Sequence, residues 1–345
     1  MQCLATMKLT TIPLLGLALH AHATAIPLAH KKGSFNWHQI QSLIAFGDSY
    51  TYVQGTHGHQ NYSFINDELN LAFTPGQLFA NRIVQNLTGT AEGGPNWVEY
   101  LTNCGVENGL HDPQNCNVQL WDFAYAGADV KEEVGVTPLH HNHTVSLERQ
   151  IEQFVHYGNP ALESIHLRKQ HALVAVWIGI NDINDLVGTQ GKSAIYAPFY
   201  ENVQDNVFKN VERIYELGYT NFLFMNLPPL DRGPGTPSVN ASMVEEFNRI
   251  LAAHATAFQA KHCNAAVLQF DVNGVLNRVL DEYQDYGFSN ITDFCPGYTQ
   301  PDILSDPEKY GCTDLDTYFW FNSGHLTSQT HEIMTGVLRA WLEGQ

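Results

Sequence analysis

Four short segments of this chain carry residue types that together can cleave an ester. Phe46-Gly47-Asp48-Ser49-Tyr50-Thr51 places a hydroxyl just after the apolar run Leu43-Ile44-Ala45-Phe46. Such a run reads as a short buried strand, and open α/β sheets bind ligands beyond the C-terminal ends of their strands. An unassisted serine is a weak nucleophile at neutral pH and needs a base within hydrogen-bond reach. The candidate base is His325, in Asn322-Ser323-Gly324-His325. Attack on a carbonyl creates an oxyanion, and each preorganised donor that meets it is worth roughly 3–4 kcal/mol of barrier. The backbone N–H of Ser49 is one candidate donor. Gly127, in Ala126-Gly127-Ala128, is a second, because glycine permits close backbone approach. Asn181, in Gly179-Ile180-Asn181-Asp182, is a third through its side-chain amide. Each has a plainer reading alone: a Gly-Asp-Ser turn, a turn glycine, a helix N-cap, and one of 17 histidines. Their joint occurrence carries the functional reading.

These residues lie far apart in the chain, so the fold must gather them. Strands are expected at 42–46, 120–125, 172–178, 221–225 and 266–271. Helical patterns fall at 76–87, 146–157, 199–217 and 241–262, with a last helix opening at Thr327-Ser328. In the clearest, Val203, Val207, Val211, Ile214 and Leu217 recur three or four apart and Gly218 is placed to end it. Alternating β and α elements predict an α/β fold with a mostly parallel central sheet covered by helices on both faces. No linker is visible, so residues 40–345 read as one domain. In such a wound sheet the loop holding His325 can return to the edge where the first strand ends.

The N-terminus reads separately. Lys8 is followed by an apolar run at 12–19 and by small residues around Ala23 and Ala25. Residues 1–25 are therefore expected to be a secretory signal peptide cleaved near Ala23 or Ala25. The run is too short for a membrane anchor, which needs about 20 apolar residues. A secreted, extracellular chain would pair Cys104 with Cys116 and Cys295 with Cys312, and leave Cys263 as a buried free thiol once Cys3 departs with the leader. Sequons at Asn61, Asn86, Asn142, Asn240 and Asn290 fit the same compartment. The group His140-His141-Asn142-His143 overlaps a sequon and lacks ligands spaced along a helix, so no metal is expected. A net charge of −18 repels nucleic acid and anionic membranes. It favours a neutral or cationic substrate and stability in acid. Gly191-Lys192-Ser193 lacks the first glycine of a phosphate loop, His331-Glu332 lacks a second zinc-ligand histidine, and no Gly-x-Ser-x-Gly elbow occurs.

Ser49, Gly127, Asn181 and His325, in that order, resemble the four blocks of the SGNH (GDSL) hydrolase superfamily. Gly94-Pro95-Asn96-Trp97-Val98-Glu99-Tyr100-Leu101, Trp177-Ile178-Gly179-Ile180-Asn181-Asp182-Ile183 and Asn226-Leu227-Pro228-Pro229-Leu230-Asp231-Arg232 are similar to its fungal branch, carbohydrate esterase family 16. The resemblance implies a flavodoxin-like three-layer α/β/α fold without a cofactor. It also implies a secreted acetylesterase that deacetylates hemicellulose-derived sugars or oligosaccharides through an acyl-Ser49 intermediate. The family's last block usually carries an aspartate three residues before the histidine, where this chain has Asn322, and a proline after it, where this chain has Leu326. An asparagine can accept the imidazole Nδ1–H but cannot stabilise imidazolium by charge. Asn322, Asp316 or Asp314 is the orienting partner. A lipid esterase such as a lysophospholipase is the first alternative and would show a long apolar groove beside Ser49. A carbohydrate-binding protein with decayed machinery is the second, on Asn322 alone. Tyr50, Trp97 and Trp320 either stack on a sugar ring or pack in the core.

Overall fold

The computed structural model describes residues 35–66, 71–133, 137, 139–191, 196–235 and 238–345. The expected signal peptide and its cleavage site lie outside these residues. Five parallel strands form the central sheet: β1 (Ser42–Gly47), β2 (Gln119–Asp122), β3 (Ala172–Trp177), β4 (Asn221–Met225) and β5 (Ala266–Phe270), in the order β2-β1-β3-β4-β5. This is the flavodoxin-like order, whose direction of winding reverses between β1 and β3. β1 and β3 are buried at every position, which is why their sequences are continuous apolar runs rather than alternating ones.

The helices are α1 (Pro75–Ala80), α2 (Trp97–Thr102), α3 (Leu147–Gln153), α4 (Asn159–Ser164), α5 (Ile180–Gln190), α6 (Ala197–Glu216), α7 (Ala241–Lys261), α8 (Val272–Asp281) and α9 (Ser328–Glu343). α3, α6 and α7 pack in one row, and α2, α9 and α8 in another. The two rows cover opposite faces of the sheet. Phe46 stacks edge-on against Phe154, just beyond α3, while Trp177 meets Trp97 of α2. Phe46 is in register with Val176, so alternation along β3 turns Trp177 to the other face. The expected three-layer α/β/α fold is the observed one.

The expected helix at 76–87 is corrected. It stops at Ala80, and Ile83–Gln85 pairs antiparallel with Gly109–His111. The Asn81 side chain breaks the helix by bonding outside it, donating to the Phe64 carbonyl and accepting the His57 N–H. The helix expected at 146–157 ends as α at Gln153 and continues as a π turn over Phe154–Gly158. Both expected disulfides, Cys104–Cys116 and Cys295–Cys312, are present. Cys263 is half-buried and disulfide-bonded, not a buried free thiol. The free-thiol expectation rested on an odd count after removal of Cys3. The sequon residues Asn61, Asn86, Asn142 and Asn240 are exposed and Asn290 is half-buried.

Candidate active site

β1 ends between β2 and β3, with Ala45 beside Asp122 and Gly47 beside Trp177. The loops leaving the three strands therefore depart from one edge of the sheet together. Gly47 is needed there, because a Cβ on it would sit 2.3 Å from the Trp177 carbonyl. The buried Gln150 of α3 pins the same residue from below. Its Oε1 accepts the Gly47 N–H at 3.1 Å and its amide donates to the Gly47 carbonyl at 2.8 Å. Asp48 turns the chain by accepting the Tyr50 N–H at 3.0 Å, and Ser49 emerges half-buried at the rim. The buried Asp122 ties the far end of this turn to the strand beside it, accepting the N–H groups of Val53 at 2.9 Å and Ala124 at 2.7 Å.

His325 reaches the same rim from the loop before α9. Its Nε2 lies 2.8 Å from Ser49 Oγ, across 276 residues of chain. Its Nδ1 lies 2.9 Å from Asn322 Oδ1. The Gly324 N–H donates to that same Oδ1 at 2.9 Å. Only the oxygen of the amide can accept it, so Asn322 cannot present its NH₂ to the ring. Nδ1 therefore carries the imidazole proton and donates, while Nε2 keeps a lone pair for the serine hydroxyl. Asp314 and Asp316 are exposed and take no part in this contact. Burial without a facing carboxylate pushes the His325 pKa down to about 4.

The two other candidate donors are tied to each other. Asn181, the second residue of α5, donates one amide hydrogen to the Ala128 carbonyl at 2.9 Å, leaving the other free to point elsewhere. The helix cap is Gly179, so Asn181 is not an N-cap. Gly127 has φ of +79°, a conformation costly for any other residue. The Tyr125 N–H donates to the Gly47 carbonyl at 3.1 Å, which holds this loop against the serine turn. The structure thus joins Ser49, His325 and Asn322 through direct contacts and sets Gly127 on the neighbouring loop and Asn181 in the first turn of α5 at the same edge.

Two supporting contacts carry no mark in the sequence. The Tyr50 hydroxyl donates to the Gly324 carbonyl at 2.7 Å, so the residue after the serine holds the histidine loop. Gln150, distant in sequence, clamps the serine turn through both polar groups of Gly47. Tyr50, Trp97 and Trp320, weighed as sugar-stacking surfaces, are at most 2% exposed. They pack in the core, with the Trp97 indole N–H donating to Thr51 Oγ1 at 3.2 Å. A cavity of about 250 Å³ opens beside the histidine loop, bordered by Tyr50, Asn184, Leu230, Trp320, Ser323 and Gly324.

An α/β/α sheet with a serine–imidazole contact at its switch point defines a serine hydrolase architecture. The GDSL-like lipase/acylhydrolase family matches residues 43–336, and the chain belongs to that family. Its class of activity is carboxylic ester hydrolysis. Among its relatives, an acetylesterase of Thermothelomyces thermophilus is 27% identical over 348 residues, covering 96% of this chain and 97% of the relative. A GDSL esterase/lipase of Arabidopsis thaliana is 20% identical over 324 residues, covering 85% and 84%. An extracellular lipase from Streptomyces rimosus aligns over 87% of this chain and 99% of its own at 12% identity, with a TM-score of 0.39.

Proposed function

We propose that the protein is a secreted serine acetylesterase that removes acetyl groups from hemicellulose-derived sugars or oligosaccharides. The observation that carries this reading is the bond between Ser49 Oγ and an imidazole nitrogen left unprotonated by the Asn322 contact. Ser49 Oγ attacks the ester carbonyl carbon and gives its proton to His325 Nε2. The Ser49 N–H, the Gly127 N–H and the free amide hydrogen of Asn181 receive the oxyanion. Collapse breaks the bond to the sugar oxygen, which takes the proton from His325. Acetyl-Ser49 remains. Water then loses a proton to His325, attacks the acyl carbon, and acetate leaves as Ser49 recovers its hydrogen.

A small cavity beside the site, with polar groups in its lining, supports a short acyl group and a sugar leaving group. The cavity beside the histidine loop is about 250 Å³, below the ~300–1,000 Å³ of drug-sized ligand pockets. Amide, hydroxyl and backbone groups share its lining with Leu230, Pro234, Val239 and Trp320. The acetylesterase relative points the same way. Disulfides and the leader-like residues 1–25 support an extracellular site of action, and no helix among the described residues is long and apolar enough to cross a membrane. The test is a rate profile over aryl esters from acetyl to palmitoyl, run on the wild type and on Ser49→Ala. Activity should peak at acetyl and vanish in the variant, whose circular dichroism should stay unchanged. A peak at long chains, or turnover retained by Ser49→Ala, refutes the proposal.

A further inference from the structure

Behind Gly127, three ligating side chains from separate segments converge. Asp129 lies just past the Gly127 loop, His140 leads toward α3, and Asp185 lies on α5. Their nearest ligand atoms all fall within 4.8 Å of one another. His140 Nε2 is 2.8 Å from Asp185 Oδ2 and 3.9 Å from Asp129 Oδ2. Asp129 is only 2% exposed, yet its Oδ1 has no hydrogen-bond partner. A buried carboxylate oxygen left unpaired is costly, and native proteins rarely tolerate it without an ion, a water or a proton to satisfy it. Asp182 adds a third carboxylate alongside, buried and held by the Val130 N–H at 3.1 and 3.2 Å. One imidazole cannot balance this group.

We propose that Asp129, His140 and Asp185 bind one divalent transition-metal cation of the zinc or manganese class, seated against the loop that carries Gly127. One imidazole nitrogen and two carboxylates suit such ions better than calcium or magnesium, which take oxygen ligands alone. Zn–N and Zn–O bonds of about 2.0–2.2 Å place tetrahedral ligand pairs about 3.3–3.6 Å apart. The His140–Asp129 pair lies just beyond that range, and the His140–Asp185 hydrogen bond must open by less than an ångström. Partial exposure of His140 and Asp185, 28% and 19%, gives the ion an entry path and room for water ligands.

The sequence argues against metal here because His140, His141 and His143 lack helical spacing. The structure keeps His141 and His143 stacked together and sends His140 elsewhere. His141 meets the Tyr62 hydroxyl at 3.2 Å and His143 stacks on His59 with centroids 3.8 Å apart, while His140 turns to the aspartates. The ion would be structural. A Cβ built on Gly127 lies 3.1 Å from His140 Cβ, so fixing His140 fixes the wall behind Gly127. The proposal is independent of the esterase substrate.

The test is calorimetric titration of the chelator-stripped full chain with Zn²⁺, Mn²⁺ and Ca²⁺, with manganese binding followed also by paramagnetic resonance. One saturable site per chain is expected for Zn²⁺ and Mn²⁺. Asp129→Asn and His140→Ala should each weaken it by at least about 10-fold, the loss that even outer-shell changes bring. His143→Ala should leave it unchanged. If Asp129→Asn does not fold, Asp185→Asn, at a partly exposed position, carries the same comparison. Absence of saturable binding up to millimolar ion, equal binding of Ca²⁺, or a site that survives these ligand substitutions overturns the proposal.

Discussion

Replacing Asn322 by aspartate tests the logic of the site directly. The side chains are nearly isosteric, and a carboxylate oxygen can still accept from both His325 Nδ1 and the Gly324 N–H. Only charge is added. In the wild type His325 has no facing carboxylate, and its pKa lies at about 4. At about 4 Å between charge centres, an effective dielectric of 20 gives ~4 kcal/mol of attraction. One pKa unit corresponds to about 1.4 kcal/mol, so this sets a ceiling of about three units. Desolvation of the new carboxylate takes back part, and the usual range for an opposite charge at this distance is about 1–3 units. The imidazolium pKa should therefore rise to about 5–7. The base is the neutral ring, so raising its pKa removes activity from the acid side. The assay is kcat/KM on aryl acetate between pH 3.5 and 9. The wild type should hold its plateau down to roughly pH 4–5. Asn322→Asp should lose its acid limb about 1–3 units higher and match or exceed the wild type above pH 8. Coincident acid limbs would show that His325 is not the base, or that Asn322 does not govern its titration.

Asn181→Ala should lower kcat by about 10²–10³ with little change in KM if its free amide hydrogen meets the oxyanion; an unchanged kcat makes the residue structural. Gly127→Ala must hold a non-glycine residue at φ of +79° and press on His140, so it should cost about 1–3 kcal/mol of stability and a kcat loss measurable in the same assay. Thermal stability should rise as pH falls from 7.5 to 5. Burial raises the carboxyls of Asp48 and Asp182 to about 7 and also lifts those of Glu92, Glu99 and Asp122. The native state then holds more protons than the unfolded chain, and stability is lost as pH rises from about 4 to 7. Asp48 alone, moved from 3.8 to about 7, is worth on the order of 4 kcal/mol. His325 and His331, pushed down to about 4 and about 3, act the opposite way below pH 6.5 but are fewer. A melting temperature that falls from pH 7.5 to 5 contradicts this balance.

The centre of the sheet is legible in the sequence because β1, β3 and β4 are buried at every position, which leaves largely apolar runs. β4 has the expected bounds, Asn221–Met225. Helices are less legible where their ends lack the usual marks. α5 begins after Gly179 at φ of +115°, with no side-chain cap; α2 is capped by Asn96 and Glu99 but spans only six residues, too few to show a periodic pattern. Neither is among the helices expected from periodicity, although Asn181 reads as a helix N-cap. The serine and histidine are legible by type and order, since a nucleophile and base must be those residues. The orienting partner is not, because three candidates lie within twelve residues of His325 and the choice depends on which one shares the Gly324 N–H. Tyr50 and Gln150 act through contacts across 274 and 103 residues, which no local pattern encodes. The Asp129, His140 and Asp185 group has the same character, three ordinary polar residues made neighbours by topology.

Asn322 is the departure that raises the possibility of decayed machinery, yet its surroundings argue the reverse. A residue freed from function has no reason to keep an amide oxygen held at 2.9 Å by both a backbone N–H and the imidazole. The protein already crowds Asp48 and Asp182 beneath this edge of the sheet, each with a carboxyl that burial pushes upward. Another carboxylate at the rim would deepen that repulsion at neutral pH. It would also protonate the base in the acid range where these groups become neutral and the fold gains stability. An amide orients the ring and leaves it neutral down to about pH 4. The loss is charge stabilisation of imidazolium in the transition state. The stability window and the window for an unprotonated base then overlap between about pH 4 and 7.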